Sequence, residues 1–188
     1  MNIGALIPVR LNSERLPNKA LEPIAGRPMI VHLLDRLFAS RYLNPAQVVV
    51  CTTEEESDDP LIPVVQSTGA KIFRGSREDI IDRFYRCTAE YGFDAVIQVD
   101  GDDPCTETLY MDLCMEKLLG DSNLDVVVTE GLPLGVGCKA IRSSAIGKVW
   151  AHHVTEQNDT GFIYFFTRTG LCNKGTIFPI SDEHRHES

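Results

Sequence analysis

The chain has 188 residues, 43% of them hydrophobic and 24% charged, a composition that excludes a disordered protein. Its length fits a single domain over residues 1–188, and no apolar run approaches the roughly 20 residues that span a bilayer. The formal net charge of −9 excludes a basic surface for duplex nucleic acid, and the first residues lack the basic flank of a signal peptide. We therefore expect a cytoplasmic protein that binds neither membranes nor nucleic acids.

Strands and helices are predicted to alternate over the first 130 residues. Short apolar runs predict strands at residues 3–9, 47–53, 70–73, 95–99 and 124–129. Apolar residues at helical spacing predict helices at 28–38, 61–68, 77–91 and 106–119. In the last of these helices we expect an inward face formed by Leu109, Leu113, Cys114 and Leu118.

The pattern is less regular after residue 130. It predicts a turn-rich connection at 132–137, a helix at 143–152 and an aromatic strand at 161–167. The alternation in the first part indicates βαβ units and a mostly parallel sheet. Ligands of such sheets bind at the carboxyl ends of the strands, so the loops after Val9 and Val99 are the first candidates for a site.

Basic side chains crowd the loop that follows the first predicted strand. Arg10, Arg15 and Lys19 lie close together in sequence, and the hydroxyl of Ser13 lies between them. Residues 1–41 hold six basic and three acidic side chains, a net charge of +3 in an otherwise acidic chain. Arginine holds phosphate oxygens through paired hydrogen bonds, and lysine adds a mobile charge. The loop fits a triphosphate cradle, although a solvated basic loop fits the same composition.

Acidic side chains follow the strand at 95–99, in the segment Asp100-Gly101-Asp102-Asp103-Pro104. Three carboxylates this close repel one another unless a cation or hydrogen bonds intervene. Mg²⁺ is commonly held by one or two carboxylates together with substrate phosphates. Asp-Gly and Asp-Pro are also ordinary turn formers, so an acidic turn is the other interpretation. We favour the metal site because both loops belong to the same edge of the predicted sheet.

Longer motifs point to a family. The segment at 9–21 reads V-R-L-N-S-E-R-L-P-N-K-A-L, and 24–30 reads I-A-G-R-P-M-I. Further motifs are F-R-G-S at 73–76, D-I-I-D-R at 79–83, D-G-D-D-P at 100–104 and H-V-T at 153–155. Together they resemble the CMP-sugar synthetases, which include the acylneuraminate and Kdo cytidylyltransferases, and are most similar to the spore coat polysaccharide type.

The resemblance implies a nucleotide-diphospho-sugar transferase fold, which is a three-layer, Rossmann-like α/β fold with a mostly parallel sheet. It implies an enzyme of surface polysaccharide biosynthesis that transfers CMP from CTP to an acidic sugar and releases pyrophosphate. It also implies Mg²⁺ as cofactor and a homodimer as the assembly.

The same resemblance implies the roles of individual residues. The expected catalytic residues are Arg10, Arg15, Lys19 and Asp102, and Asp102 is also the expected Mg²⁺ ligand. The residues expected to bind substrate are Ser13, Arg74, Gly75, Ser76, Asp79, Arg83 and Asp100.

Two positions depart from the family pattern. The chain ends at residues 184–188, about where the family has a later metal-binding aspartate, so we expect a C-terminal truncation relative to the family. Lys139 stands where the sugar-binding part of the family would have an acidic residue. Two alternatives therefore stay open: a catalytically weak nucleotide-binding or scaffold protein of the same fold, and a nucleotidyltransferase that uses another nucleoside triphosphate.

Overall fold

The computed structural model describes residues 1–13, 16–152 and 161–185. The strands are β1 (Ile3–Pro8), β2 (Pro23–Ile24), β3 (Arg27–Pro28), β4 (Val48–Thr53), β5 (Lys71–Gly75), β6 (Ala95–Gln98), β7 (Val126–Thr129), β8 (Lys139–Arg142) and β9 (Lys174–Ile177). The helices are α1 (Met29–Phe38), α2 (Leu61–Ser67), α3 (Ile80–Tyr91), α4 (Thr108–Gly120), α5 (Ser143–His152) and α6 (Ile163–Thr167). Short 3₁₀ helices lie at Lys19–Leu21, Pro45–Gln47, Glu56–Asp58 and Asp182–His184.

A seven-stranded sheet runs through the middle of the protein in the order β5-β4-β1-β6-β8-β7-β9. The first four strands of this order are parallel, β8 is antiparallel to both of its neighbours, and β7 and β9 are again parallel. Strands β2 and β3 form a small antiparallel pair of their own. The predicted mostly parallel α/β sheet is confirmed.

Helices cover both faces of the sheet, because its strands alternate apolar side chains between two cores. In β1, Ala5 and Ile7 face α1, α2 and α4, whereas Leu6 faces α3, α5 and α6. In β4, Val50 and Val49 alternate in the same way. Strands buried on both faces are typical of parallel sheets between helical layers. The predicted three-layer architecture is confirmed.

The predicted strand at 161–167 is wrong, because residues 163–167 form helix α6. Phe162 and Phe166, four positions apart, are buried side by side against the sheet. The ring of Phe162 meets that of Phe84 edge to face, with the centroids 5.3 Å apart. Aromatic residues favour strands by propensity, but here the packing of one helical face overrides that propensity.

Helix α4 turns a different face to the core from the one predicted. Leu109 is 40% exposed and Leu113 is only partly buried, whereas Cys114 and Leu118 are buried as expected. The buried residues of the helix are Tyr110, Met111, Cys114, Met115 and Leu118. The stripe that packs on the sheet is formed by positions three and four apart, and Leu109 lies outside it.

Strands β8 and β9 are absent from the sequence-based prediction. Each has four residues, and β8 begins and ends with a charged side chain, Lys139 and Arg142. Such short segments do not show a clear period of two. The omission matters, because the antiparallel β8 pairs Lys139 with Gln98 at the carboxyl end of β6.

Candidate active site

The loops after β1 and β6 meet in a cleft of about 310 Å³. The two strands are parallel neighbours with Leu6 opposite Gln98, so both carboxyl ends lie at one edge of the sheet. This is the position at which parallel sheets bind ligands. The charged side chains that line the cleft are Arg10, Lys19, Arg83, Asp100, Asp102 and Lys139. The cleft thus brings the basic loop and the acidic turn together, as predicted from their shared place at one edge of the sheet.

The basic loop contributes Arg10, Ser13 and Lys19 to the lining of the cleft. Lys19 forms an ion pair with Asp102 across the cleft. Arg15, the remaining cation predicted for this loop, lies outside the described residues, as does the motif at 153–155. The roles of these residues in binding triphosphate stay predictions.

Arg83 is a buried cation at the wall of the cleft. Its Nε donates a hydrogen bond of 3.0 Å to the carbonyl oxygen of Ser76, and its Nη1 donates one of 3.1 Å to that of Cys51. Burial lowers the pKa of Arg83 and outweighs the nearby carboxylate of Asp58, which acts to raise it. Arg10 and Arg83 both line the cleft, and two cations in one cleft favour an anionic ligand such as a phosphate.

The other residues predicted to bind substrate lie beside the cleft and stabilise its wall. Arg74 donates hydrogen bonds of 2.9 Å to the carbonyl oxygens of Thr53 and Glu55 and forms an ion pair of 2.7 Å with Asp59. It thereby fixes the loop after β4. Because Arg74 is not among the residues that line the cleft, a direct contact with substrate stays a prediction.

Gly75, Ser76 and Asp79 form the turn between β5 and α3. The Oδ1 atom of Asp79 accepts hydrogen bonds of 3.0 and 2.9 Å from the amides of Ile81 and Asp82, which makes Asp79 the N-cap of α3. The hydroxyl of Ser76 accepts a hydrogen bond of 3.1 Å from the amide of Asp79. None of the three lines the cleft, so their predicted contacts with substrate also stay predictions.

The acidic turn carries three carboxylates, and the pKa values of Asp100 and Asp103 are shifted in opposite directions. Burial acts to raise the pKa of Asp100, but the Lys139 ammonium, 2.9 Å away, and a hydrogen bond from Gln98 outweigh it, so this pKa is lowered. Burial, together with the negative charges of Asp100 and Asp102, raises the pKa of Asp103 to about 6. The turn therefore holds more negative charge than its lysine partners neutralise.

This donor set fits a hard divalent cation that is shared with phosphate. Within the described ranges, no group of three or more His, Cys, Asp or Glu side chains could hold a metal alone. Asp102 is exposed at the cleft, and Asp100 and Asp103 lie beside it in the same turn, so a cation there would offset the repulsion among three carboxylates. Mg²⁺ accepts such a site, because it keeps several waters and uses phosphate oxygens as ligands.

Gly101 brings the acidic turn against the end of β1. A Cβ atom at this position would lie 2.5 Å from the carbonyl oxygen of Pro8 and 2.5 Å from Cγ2 of Val9. Any side chain would push the turn away from the strand. Glycine therefore sets the close approach of the two loops that form the cleft.

Two residues that shape this region were missed as site residues in the sequence. Asp58 is buried, and its Oδ1 accepts a hydrogen bond of 2.7 Å from the amide of Leu11 at the start of the basic loop. Lys139 was noted as a departure but not as a neighbour of Asp100, because β8 was not predicted. The position of Asp58 among acidic residues at 54–59 gives no signal that it differs from them.

No helix within the described ranges is both long and apolar enough to cross a membrane.

The fold and the cleft define the class of the protein, which is that of the nucleotide-diphospho-sugar transferase fold. A cytidylyltransferase from Leptospira borgpetersenii serovar Hardjo-bovis superposes with a TM-score of 0.86 at 24% identity, over 98% of this chain and 80% of that one. A CMP:2-keto-3-deoxy-manno-octonic acid synthetase, solved with CTP, gives a TM-score of 0.75 at 20% identity. The superposition covers 95% of this chain and 90% of that one.

Residues 4–167 match the family model described as cytidylyltransferase. The chain belongs to the cytidylyltransferase family.

Curated relatives include an uncharacterised protein of Methanocaldococcus jannaschii, 34% identical over 150 residues that cover 80% of this chain and 60% of the relative. The 3-deoxy-manno-octulosonate cytidylyltransferase of Geobacter sulfurreducens is 36% identical over 120 residues, 63% of this chain and 46% of that one. The enzyme of the same name from Brucella canis is 42% identical over 110 residues, which cover 55% of this chain and 41% of that one. The chain thus matches less than two thirds of the length of each relative.

Proposed function

We propose that the protein transfers CMP from CTP to an acidic sugar and releases pyrophosphate. The observation that carries the proposal is the cleft itself, in which Arg10, Lys19 and Arg83 lie opposite an acidic turn at the carboxyl ends of β1 and β6. Family membership supports cytidylyl transfer, and the names of two relatives support a 3-deoxy-manno-octulosonate acceptor or a similar acid.

The reaction requires no protein nucleophile. A hydroxyl oxygen of the acceptor attacks the α-phosphorus of CTP, the bond from that phosphorus to the β-phosphate oxygen breaks, and the hydroxyl proton is lost to solvent. Such transfers depend on positioning and on the neutralisation of developing charge. Arg10 and Lys19 supply cations to the triphosphate, and buried Arg83 adds a fixed positive charge to the cleft wall. The same role is proposed for Arg15 from the family motif.

Mg²⁺ is the proposed cofactor, and Asp102 is the residue that would hold it together with phosphate oxygens. When bound, the ion supplies Lewis acidity to the phosphates and helps to neutralise the pyrophosphate that leaves. Lys19 forms an ion pair with Asp102, which fixes this carboxylate at the edge of the cleft.

A homodimer in a reducing compartment is the proposed form of the protein. Its six cysteines are free, which fits the cytoplasm, where CTP is available. Leu134 is 98%, Phe178 62% and Ile180 59% exposed, and exposed apolar side chains of this size favour association. Light scattering tests the assembly: a mass of two chains supports the dimer, and the mass of one chain contradicts it.

A nucleotide-binding protein without transfer activity is the second candidate. The observation in its favour is that both carboxylates at the cleft have lysine partners, Asp102 with Lys19 and Asp100 with Lys139. Such a protein would bind CTP and release no pyrophosphate.

Two measurements separate these functions. A thermal-shift panel of the four nucleoside triphosphates with Mg²⁺ identifies the preferred base, because a ligand that binds only the folded state raises Tm. A pyrophosphate-release assay with 3-deoxy-manno-octulosonate then tests transfer. We expect CTP to give the largest shift and acceptor-dependent pyrophosphate release; stabilisation by CTP without release would favour the second candidate.

A further inference from the structure

Thr106 is a fully buried polar residue between the acidic turn and helix α4. It is not among the residues that line the cleft, and the proposed reaction gives it no role. A buried hydroxyl is costly unless it is hydrogen-bonded, so the partners of Thr106 show what its side chain supports. These partners are the acidic turn and the connection at 132–137.

Thr106 holds the backbone of the acidic turn through two hydrogen bonds to one atom. Its hydroxyl donates a hydrogen bond of 2.9 Å to the carbonyl oxygen of Asp103, and its amide donates one of 3.1 Å to the same oxygen. The amide of Asp103 in turn donates a hydrogen bond of 3.1 Å to the carbonyl oxygen of Asp100. The backbone is therefore held on both sides of Asp102, whose carboxylate is exposed at the cleft.

The connection at 132–137 packs against the same junction. The hydroxyl of Thr106 lies 3.5 Å from the carbonyl oxygen of Gly135, and the amide of Glu107 donates a hydrogen bond of 2.9 Å to the carbonyl oxygen of Val136. Gly135 has a φ of +82°, and a Cβ atom there would lie 3.3 Å from Oδ1 of Asp103. The acidic turn, the connection and the start of α4 therefore meet at Thr106.

We propose that Thr106 is a positioning residue, which orients Asp102 toward Mg²⁺ by holding the carbonyl oxygen of Asp103. The proposal rests on the proposed function, because it takes Asp102 as the ligand of the ion. Hydrogen bonds that orient a metal ligand commonly change metal affinity or activity by about 10- to 100-fold. Thr106 thus acts on the metal through Asp102, without lining the cleft itself.

Thr88 on helix α3 provides the matched control. It is 4% exposed, and its hydroxyl donates a hydrogen bond of 2.8 Å to the carbonyl oxygen of Tyr85, three residues earlier. The hydroxyl of Thr106 makes the same kind of bond to Asp103, also three residues earlier. Thr106→Val and Thr88→Val each remove one such bond, so we expect similar losses of stability in denaturant unfolding. Only Thr106→Val should affect the metal.

Calorimetry with CTP, without an acceptor so that no transfer occurs, measures the contribution of the metal. Each protein is titrated once with excess Mg²⁺ and once with EDTA, and the ratio of the two dissociation constants is compared. We expect Mg²⁺ to tighten CTP binding equally in wild type and Thr88→Val. In Thr106→Val this gain should fall about tenfold, while the affinity in EDTA stays unchanged.

Two further variants grade the effect of the hydroxyl. Thr106→Ser keeps the hydroxyl and should recover the gain from Mg²⁺. Thr106→Cys, whose thiol is a weak donor, should lie between Thr106→Ser and Thr106→Val. This order holds the test open even where Thr106→Val does not fold, because a cysteine variant that matches Thr106→Ser would contradict the proposal.

The outcomes are distinct. An unchanged gain from Mg²⁺ in Thr106→Val, an equal loss in Thr88→Val, or no recovery in Thr106→Ser would overturn the role of Thr106. An equal loss of CTP affinity with and without Mg²⁺ would also overturn it, because the hydroxyl would then support the cleft as a whole. Failure of the proposed function gives a different pattern, in which the gain from Mg²⁺ depends on Thr106 but no pyrophosphate is released when the acceptor is added.

Discussion

The buried carboxylate of Asp58 accepts a hydrogen bond of 2.7 Å from the backbone amide of Leu11, and so joins the loop after β4 to the start of the basic loop. Its other oxygen accepts hydrogen bonds from the hydroxyl of Thr52 and from both the amide and the hydroxyl of Thr53. The position of Arg10, next in sequence to Leu11, therefore depends on a carboxylate that does not line the cleft. The stability of the fold and the geometry of the cleft are linked at this residue.

Asp58→Asn should destabilise the protein and weaken CTP binding together. An amide replaces one acceptor oxygen by a donor, so buried hydrogen-bond donors lose their partner, at a cost of about 1–3 kcal/mol. Denaturant unfolding measures the loss. Asp59→Asn is the control, because Asp59 is exposed and its pair with Arg74 is worth at most about 1 kcal/mol. Equal stability of the two variants would contradict the role given to Asp58.

Asp58 should also make the protein sensitive to acid. Burial acts to raise its pKa, but the hydrogen bonds from Thr53, Leu11 and Thr52 outweigh it and lower the pKa below the ordinary value of 3.8. The folded state thus binds fewer protons than the unfolded state, and stability increases with pH in this range. The contribution is present above the unfolded pKa and is lost as the pH falls through the folded pKa. Unfolding curves below pH 5 should show a smaller pH dependence in Asp58→Asn than in wild type.

Gly101→Ala should displace the acidic turn. The added methyl group would meet the carbonyl oxygen of Pro8 at 2.5 Å, and a backbone atom cannot move aside cheaply. We expect a loss of stability of about 1–3 kcal/mol and a lower rate of pyrophosphate release. In the control, Gly120→Ala, the methyl group has no neighbour within 4 Å, and stability should stay the same or increase. Normal activity of Gly101→Ala would show that the close approach is not needed.

Lys19→Met should weaken CTP binding about tenfold or more, since it removes a cation from the triphosphate cradle. Lys71→Met, at an exposed position on β5, is the control and should leave CTP affinity unchanged. Titration calorimetry with CTP measures both variants. Unchanged CTP affinity in Lys19→Met would contradict the triphosphate cradle and favour the interpretation of the basic loop as a solvated loop.

The sequence predicts most of the fold, because long apolar runs form the buried strands and apolar residues at helical spacing form the buried faces of the helices. The prediction fails where elements are short or where packing overrides propensity. Strand β8 has only two buried apolar residues, Ala140 and Ile141, and Phe162 and Phe166 fix a helix in a segment rich in strand-forming aromatic residues. These two segments lie after residue 130, where the antiparallel strand β8 interrupts the parallel order. The third failure, the inward face of α4, lies before it, because the packed stripe of that helix leaves out Leu109.

The candidate site also has a part that the sequence predicts and a part that it does not. Local motifs identify Arg10, Lys19 and Asp102, because strand ends of a parallel sheet bring them to one edge. Partners distant in sequence do not leave a local signal. The contact of Lys139 with Asp100 requires the antiparallel strand β8, and that of Asp58 with Leu11 joins loops 47 residues apart. These contacts appear only when the chain is folded.

The most direct test of the account is pyrophosphate release from CTP and 3-deoxy-manno-octulosonate across a Mg²⁺ titration, in wild type and Asp102→Asn. We expect release in wild type to require the acceptor and Mg²⁺, and to fall about 100-fold in the variant, which lacks the charge that a hard cation needs. Asp35→Asn, which removes a carboxylate from an exposed pair with Arg27, is the control and should match wild type. Equal release by wild type and Asp102→Asn, or no release by wild type, would contradict the account.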